Sequence, residues 1–281
     1  MLHQTSAVKE EAVTIAASSS MADLLLETDR LYFDAGAQLK TIPAAVVAAM
    51  PNLVHIPAGC VAHRITTHGV SSWDMWIEQL EHQLRELGCL APRLYLDYPM
   101  PELEQLLLKR GYSSQIEVGL LDEALTADKL KTDLAVTLRP ILDDVDWQKK
   151  LQLHSEKENG PDGHITYPHE WVELERQKCK TGAMQVFFIC VGDEICGTVG
   201  ALDVGQLLRL KNLLVHPAWR RQGIAQAAVY ALKNRAIRLE KQAFGCFALL
   251  DSAGQRVYER AGLSVVTQQT EWYCNLTQRA S

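Results

Sequence analysis

The sequence predicts an α/β (α+β) protein built from two tandem copies of one unit, and three observations support this prediction. Segments with helical periodicity and segments with strand-like alternation follow one another along the chain, and neither type is in the majority. A length of 281 residues fits two domains of roughly 100 to 200 residues better than one. The order of elements in the first half also recurs in the second half.

The first half is predicted to be a flexible segment followed by one domain. Residues 1–20 are small and polar and end in IAASSS, which is typical of a loosely docked terminus. Residues 21–128 form the predicted N-terminal domain, with helices at 21–34, 71–88 and 101–110 and strands at 93–97 and 114–121. The charged, non-periodic stretch at 126–133 marks the predicted domain boundary.

Residues 129–281 form the predicted C-terminal domain. Strands are predicted at 135–141, 184–191, 194–202, 206–215, 244–250 and 264–274, and helices at 143–158, 167–180, 224–239 and 252–262. In the strand at 206–215, Leu208 and Leu210 alternate with Arg209 and Lys211. This alternation predicts that one face of the strand is solvated.

A faint repeat relates the two halves. Helix, strand, helix, glycine and strand follow one another from residue 71 and again from residue 224. EQLLLKRGYS matches QRVYERAGLS, with Gly111 opposite Gly262 and Ser113 near Ser264. Self-similarity of this kind indicates a duplicated unit.

Composition excludes several classes of function. A net charge of −6 argues against a general nucleic-acid binder, which needs surplus Lys and Arg. Seven scattered cysteines without Cys-x-x-Cys and nine histidines without a metal pattern predict neither a disulfide framework nor a metal site. The sequence lacks a run as long as a membrane span and a secretory leader pattern. We expect a cytoplasmic protein without metal, membrane or nucleic-acid partners.

The stretch VHPAWRRQGIAQAAV, residues 215–229, joins a predicted strand to a predicted helix. Such a junction leaves unpaired backbone N–H groups at a helix N-terminus. Gly223 and Ala225 are small enough for an anion to approach the backbone, and Arg220 and Arg221 add positive charge. A ligand with two linked phosphates fits this arrangement. The alternative is a solvated turn with surface arginines.

The motifs around this stretch make it more specific. LLVHPAWRRQGIAQAAV followed by LLDSAGQRVYERAGL resembles the GNAT superfamily of N-acetyltransferases over roughly residues 134–275. The family's R/Q-x-x-G-x-G/A loop matches Arg220, Gly223 and Ala225, after a V-x-P turn. Its N-x-x-A-x-x-L-Y-E-x-x-G-F signature matches Asp251, Gly254, Val257, Tyr258, Glu259, Gly262 and Leu263. The resemblance implies a mixed, mostly antiparallel central sheet flanked by helices.

The resemblance also implies acetyl-CoA as co-substrate. Its pyrophosphate would lie on the N–H groups of Arg221 to Gln226, and its pantetheine arm along the strand that ends at Val215. The implied cofactor-binding residues are Leu214, Val215, Arg220, Arg221, Gln222, Gly223, Ile224, Ala225, Gln226 and Asp251. Asp251 stands where the family has asparagine, which places a negative charge near the cofactor arm.

The implied reaction is direct attack of a primary amine, as part of a small-molecule acceptor, on the thioester. A backbone N–H near Leu214 or Val215 is the candidate donor to the oxyanion. Tyr258 occupies the family's position for the acid that protonates the departing thiolate, although a tyrosine can also simply fill the core there. An alkylammonium, with a pKa near roughly 10.4, must lose a proton. Asp203 is the nearest carboxylate by position, with a water relay or a less basic acceptor as alternatives.

The first half carries no such loop in RITTHGVSSW, and Leu107 stands in place of the tyrosine. We therefore predict a degenerate GNAT-like domain that pairs its sheet with the second half, forms a wall of the acceptor cleft or mediates contacts. Trp147, Tyr167 and Trp171 are candidates for acceptor contact, with core packing as the favoured alternative. The rival functions are a non-catalytic acyl-CoA-binding, sensing or structural protein and a transferase of larger acyl groups. Monomer and homodimer are both compatible with the sequence.

Overall fold

The computed structural model describes residues 20–89, 91–125, 134–157 and 167–276. Nearly all of the predicted flexible segment and the whole predicted boundary at 126–133 lie outside these residues. Within the described ranges the chain forms eleven strands of one continuous sheet and seven α-helices. None of the helices in these ranges is both long and apolar enough to cross a membrane.

The N-terminal half contains three helices and five strands. In chain order they are α1 (Met21–Asp34), β1 (Gln38–Ile42), β2 (Ala45–Ala49), β3 (Cys60–His63), α2 (Trp73–Glu86), β4 (Arg93–Leu96), α3 (Pro101–Lys109) and β5 (Ser113–Asp122). Ser20 and Asp23 form a capping box on α1, and the Ser72 side chain accepts from Met75 N at the start of α2. The strands β1 to β3 lie in residues 35–70, where the sequence analysis assigns no element.

The C-terminal half contains four helices and six strands. In chain order they are β6 (Thr137–Pro140), α4 (Asp144–Lys157), α5 (Pro168–Lys180), β7 (Gln185–Val191), β8 (Glu194–Val204), β9 (Leu207–Val215), α6 (Ile224–Arg238), β10 (Ala243–Leu249), α7 (Ala253–Arg260) and β11 (Ser264–Tyr273). Every element predicted for this half is present. The repeat is confirmed as an element order, since α2-β4-α3-β5 corresponds to α6-β10-α7-β11.

The two halves exchange strands. The sheet order is β1-β2-β3-β4-β11-β5-β10-β9-β8-β7-β6, so β11 lies between β4 and β5, and β5 lies between β10 and β11. Only the β3–β4 and β9–β10 pairs are parallel among the described strands, which confirms a mixed, mostly antiparallel sheet. The halves are therefore joined through main-chain hydrogen bonds across the middle of the sheet. The residue boundaries 21–128 and 129–281 stay predictions.

Helices cover both faces of the C-terminal strands. On one face, α6 and α7 enclose an apolar core that includes Leu208, Leu210 and Leu232. On the other face, α1 packs against β5, β8, β9 and β10. Gly245 allows this close approach, because a Cβ there would lie 3.1 Å from Leu25 Cδ1 of α1.

The prediction that one face of β9 is solvated is wrong. Arg209 is fully buried, and the Lys211 side chain keeps only 20% of its exposure. Both pair with Asp29 of α1, at 2.5 Å from Arg209 Nη2 and 3.1 Å from Lys211 Nζ. Gln269 Nε2 donates to the same carboxylate at 2.7 Å. The alternation along β9 is real, but a helix from the other half covers its charged side.

Candidate active site

A cleft opens between β9 and β10. Their parallel pairing extends only from Leu207 to Arg209 on β9 and from Ala243 to Gly245 on β10. Farther along β9 the register with β8 shifts, and Asn212 has a φ of 53°, which marks a bulge. The two strands therefore diverge towards Val215 and Leu249. An extended ligand arm can add to the open β9 edge as another strand would.

The loop after β9 brings the predicted phosphate-binding residues together. Arg220 Nε donates to the carbonyl of Val215 at 3.2 Å, which folds the loop back onto the strand end. Arg221 and Gly223 have φ values of 65° and 81°, and Gly223 is the N-cap of α6. Glycine suits this position because it adopts a left-handed backbone without steric cost.

The N-terminus of α6 has no side-chain cap. Serine side chains cap α1, α2 and α7, whereas the first helical bond of α6 runs from Ala227 N to Gly223 O. The N–H groups of Gly223, Ile224, Ala225 and Gln226 precede that bond and have no partner inside the helix. Together with the helix dipole they form a site suited to a phosphate group.

Tyr258 lies on α7 beside the same cleft. Its side chain is 7% exposed and belongs to the core cluster of Ile224, Cys246 and Ala248. Burial, and secondarily the nearby Cys246 thiol, raises the pKa of Tyr258 well above that of an ordinary phenol. The hydroxyl is therefore protonated at neutral pH, as an ordinary phenol also is, and burial makes it a weaker acid than an exposed tyrosine. The structure thus places Tyr258 in the core, and its acid role stays a prediction.

Asp251 begins the turn between β10 and α7. It has a φ of 59°, its N–H donates to Gln255 Oε1 at 2.7 Å, and its carbonyl accepts from Arg256 Nη1 at 2.8 Å. Asp and Asn tolerate this left-handed conformation better than most residues. The turn geometry thus accounts for Asp at a position where the family has Asn.

The geometry contradicts the prediction that Asp203 is the base. Asp203 pairs with Leu208 in the β8–β9 ladder, and Val215 lies seven residues farther along β9. At a rise of about 3.3 Å per residue, that is roughly 23 Å along the strand. Asp203 is half exposed there and forms an ion pair with Lys241. Position in sequence misled the prediction because β8 runs antiparallel to β9.

A cavity of about 700 Å³ meets the cleft at Asn212 and Leu249. Its walls come from both halves and include six aromatic side chains: Tyr32, Phe33, Tyr95, Tyr167, Trp171 and Tyr273. Tyr167 and Trp171, predicted as candidates for acceptor contact, do line it, whereas Trp147 lies in the core. The N-terminal half thus forms a wall of this cavity.

Charged groups in the cavity wall are paired with one another. Glu271 forms an ion pair with Arg93 Nη1 at 3.0 Å and accepts a hydrogen bond from Gln115 Nε2. The Arg93 guanidinium lies 4.6 Å from the centre of the Tyr273 ring, within cation–π range. These contacts fix the position of Glu271, and its negative charge is balanced by the positive charge of Arg93.

A second buried network holds the β9 bulge. Asn212 Nδ2 donates to Glu175 Oε1 of α5 at 2.7 Å, and Lys150 of α4 pairs with Glu175 at 2.8 Å. Lys150 also donates to the Thr198 hydroxyl at 3.2 Å. The network ties two helices to the bulge, and so fixes the backbone where the acyl group would react.

Sequence reasoning missed Glu117. This residue lies on β5, directly opposite Leu249 of β10, and accepts a hydrogen bond from Gln269 Nε2 at 2.8 Å. Burial and the nearby Asp29 raise the pKa of Glu117 to about 7, although Lys211 opposes the shift. Its strand belongs to the N-terminal half, for which the sequence predicts no catalytic residues. A lone Glu between Ile116 and Val118 is an ordinary strand pattern, so no local signal could have found it.

Comparison with known proteins identifies the C-terminal domain. Residues 150–263 match the model of the acetyltransferase (GNAT) family, whose general chemistry is acyl transfer from acyl-CoA. No curated protein matches the sequence.

Solved structures share the fold over about nine tenths of the chain, across both halves. A GCN5-related N-acetyltransferase from Kribbella flavida superimposes with a TM-score of 0.61 at 14% identity, over 90% of this chain and 94% of that chain. A conserved protein of unknown function from Staphylococcus epidermidis gives a TM-score of 0.63 at 10% identity, over 91% and 99%. A tandem GNAT protein from the clavulanic acid biosynthesis pathway gives 0.54 at 9%, over 93% and 90%.

Because these sequence identities are low, the solved structures establish only the tandem GNAT fold. The family model is matched by the sequence of the C-terminal half, which contains the loop and the helix that carry the motifs. The uncapped helix start and the divergent strands lie inside the matched residues. The chain therefore carries an acetyltransferase domain of the GNAT family in its C-terminal half.

Proposed function

We propose that this protein transfers the acetyl group of acetyl-CoA to the primary amine of a small molecule. One observation carries the proposal: the β9–β10 cleft, which starts at an uncapped helix N-terminus, meets an aromatic cavity at Asn212 and Leu249. The donor can occupy the cleft while the acceptor occupies the cavity. Their reactive groups then meet at the β9 bulge.

The acceptor is proposed to be small because of the dimensions and walls of the cavity. A volume of about 700 Å³ lies within the usual range of roughly 300–1,000 Å³ for small-molecule sites. Strands and helices of both halves surround it, and six aromatic rings offer apolar surface. These rings favour an amine whose carbon skeleton is apolar or aromatic.

Acetyl-CoA supplies an activated thioester when it is bound. The N–H groups at the start of α6 and the Arg220 and Arg221 side chains would hold its pyrophosphate. A backbone N–H near Leu214 or Val215 would donate to the oxyanion formed by amine attack. Tyr258 would give its proton to the departing sulfur and recover one from solvent. No covalent bond to the enzyme is needed.

Gly223→Glu is expected to abolish acetyl-CoA binding in calorimetric titration of the full chain. The new side chain would strain a backbone with a φ of 81° and place a negative charge where the pyrophosphate is proposed to lie. The wild type should bind one acetyl-CoA per chain. A matched control is Gly205→Glu, which adds the same residue at a φ of 52° in an open turn at the other end of β9.

The control variant should bind as the wild type does. Two sites per chain would contradict the assignment of the N-terminal half as degenerate. No binding by the wild type at millimolar acetyl-CoA would overturn the proposed function.

Tyr258→Phe is expected to lower kcat by about 100-fold or more while leaving acetyl-CoA affinity unchanged, because general acid catalysis typically contributes 10²–10⁴. Thiol release would be followed with a panel of primary alkylamines led by 2-phenylethylamine. Tyr98→Phe, on an exposed tyrosine of the N-terminal half, is the control. Unchanged turnover in Tyr258→Phe would remove the acid role. A protein that only binds acyl-CoA would show no turnover in any form.

A further inference from the structure

We propose that Glu117, a residue of the degenerate N-terminal half, is the general base that accepts a proton from the acceptor ammonium. This inference rests on the proposed function. It assigns a catalytic group to the strand that the first half contributes to the second. The C-terminal half, which carries the family motifs, would then be catalytically incomplete by itself.

The position of Glu117 in the sheet places it next to two residues that line the cavity, Gln115 and Leu249. It lies opposite Leu249 of β10 on one side and Gln269 of β11 on the other. Directly paired residues share a face of the sheet, and so do residues two apart on one strand. Leu249 and Gln115 both line the cavity, so Glu117 lies on the same face, one step farther in. Its side chain keeps partial exposure.

Other carboxylates around the cavity are already engaged. Glu271 is paired with Arg93, and Asp29 with Arg209 and Lys211. Glu117 accepts a hydrogen bond from Gln269 but forms no ion pair with any residue that the structure describes. It is therefore the carboxylate here that can accept a proton without breaking an ion pair.

The surroundings of Glu117 set its proton affinity. Asp29 faces it from α1, Lys211 from β9, Glu271 from β11 and Tyr95 from β4. Burial and the two carboxylates favour the protonated form, whereas Lys211 and the Gln269 amide favour the ionised form. The resulting pKa of about 7 is close to the value that suits a base at neutral pH.

The proposed step is a simple proton transfer. An N–H bond of the acceptor ammonium breaks, and an O–H bond forms on the Glu117 carboxylate. The freed nitrogen lone pair then attacks the thioester carbonyl. As the C–S bond breaks, the departing thiolate takes its proton from Tyr258, and the nitrogen releases its second proton to solvent, from which Tyr258 is reprotonated. Glu117 later releases its proton to solvent, so that no other reactant is required.

Glu117→Gln tests this step in the full chain, with 2-phenylethylamine as acceptor. We expect kcat to fall by at least about 100-fold at pH 7, with an unchanged Kd for acetyl-CoA. In the wild type, kcat/KM should rise as pH increases through about 7, because Glu117 must be ionised. The variant should lack this rise and follow only the ionisation of the amine. Glu123→Gln, the same change at an exposed residue just after β5, should keep the wild-type profile.

A weakly basic amine as acceptor distinguishes a role of Glu117 as general base from a purely structural role. Hydroxylamine is already unprotonated at neutral pH, so Glu117→Gln should use it nearly as well as the wild type does. An equal loss with both amines, or an unchanged pH profile, would overturn the inference while leaving the proposed function intact. Lack of turnover of every amine by the wild type would overturn both.

Folding of the variant is checked independently. Because the ionised form of Glu117 is disfavoured in the fold, the stability contributed by its neutral form is complete below about pH 4.5 and is lost as pH rises from there to about 7. Glu117→Gln should therefore melt at or above the wild-type temperature at pH 8. Glu117→Asp keeps a carboxylate and should retain the rise near pH 7 at a reduced rate. Loss of that rise in Glu117→Asp with normal melting would also count against the base.

Discussion

The isolated C-terminal half, residues 134–281, is expected not to fold into a stable monomer, although it contains all the residues matched by the family model. In the intact chain, β10 and β11 do not pair with each other, because β5 lies between them in the sheet. Removing the first half leaves β10 with one open edge and β11 without a partner strand on either side. It also removes Val118 and Leu120 from the apolar core and uncovers buried Arg209.

Circular dichroism, size-exclusion chromatography and thermal melting would compare the isolated half with the full chain. Co-expression with residues 1–125 should recover a folded complex, since that piece restores β5 and α1. If the halves were separate domains joined by a linker, the isolated C-terminal half would fold by itself. A cooperative transition of the isolated half at nearly the full-chain Tm would show that the exchanged strands are dispensable.

Asp29→Asn is expected to lower the free energy of unfolding by about 3–5 kcal/mol, the usual loss when one partner of a buried ion pair is removed. Asp29 is fully buried and is the shared partner of Arg209 and Lys211. The neutral amide would leave two cations facing each other beneath α1. Urea denaturation at pH 7 measures the effect, and Asp74→Asn on the exposed start of α2 is the matched control.

The pH dependence of the same pair has a definite sign. Burial by itself would raise the pKa of Asp29, but Arg209 and Lys211 hold it well below the ordinary value of 3.8. Its stabilising contribution is therefore complete above about pH 4 and is lost only as pH falls towards the lower, folded pKa. The difference in stability between wild type and Asp29→Asn should stay constant above pH 5 and shrink in acid. A loss below about 1 kcal/mol at pH 7 would mean that water reaches the cations.

The geometry of the loop proposed to bind phosphate could be predicted because it depends on neighbouring residues in the chain. Gly223 needs a left-handed backbone, and the helix that follows needs a free N-terminus, both of which are local properties. The order of elements around it follows from hydrophobic periodicity for the same reason. Tyr258 could be predicted for a different reason, because it belongs to a sequence motif with short spacing.

The rest of the candidate site is built from contacts distant in sequence. Asp203 is close to β9 in the chain but lies at its far end, because an antiparallel hairpin carries residues away from the cleft. Tyr95 and Gln115 line the cavity only because the two halves share one sheet. Strands β2 and β3 were missed since their small, mostly apolar residues show no clear alternation, and β1 is short and largely exposed.

The amino-acid sequence alone predicts the type and order of most elements, the duplicated plan and the loop that suits a pyrophosphate. Each depends on propensities and patterns within a few turns of helix or one strand. Three features are visible only in the folded chain: which strands are neighbours, that α1 covers Arg209 and Lys211, and that Glu117 lies next to the cavity-lining residue Leu249. Strand exchange between halves is set by long-range packing, and no local pattern encodes which half supplies the strand beside β10.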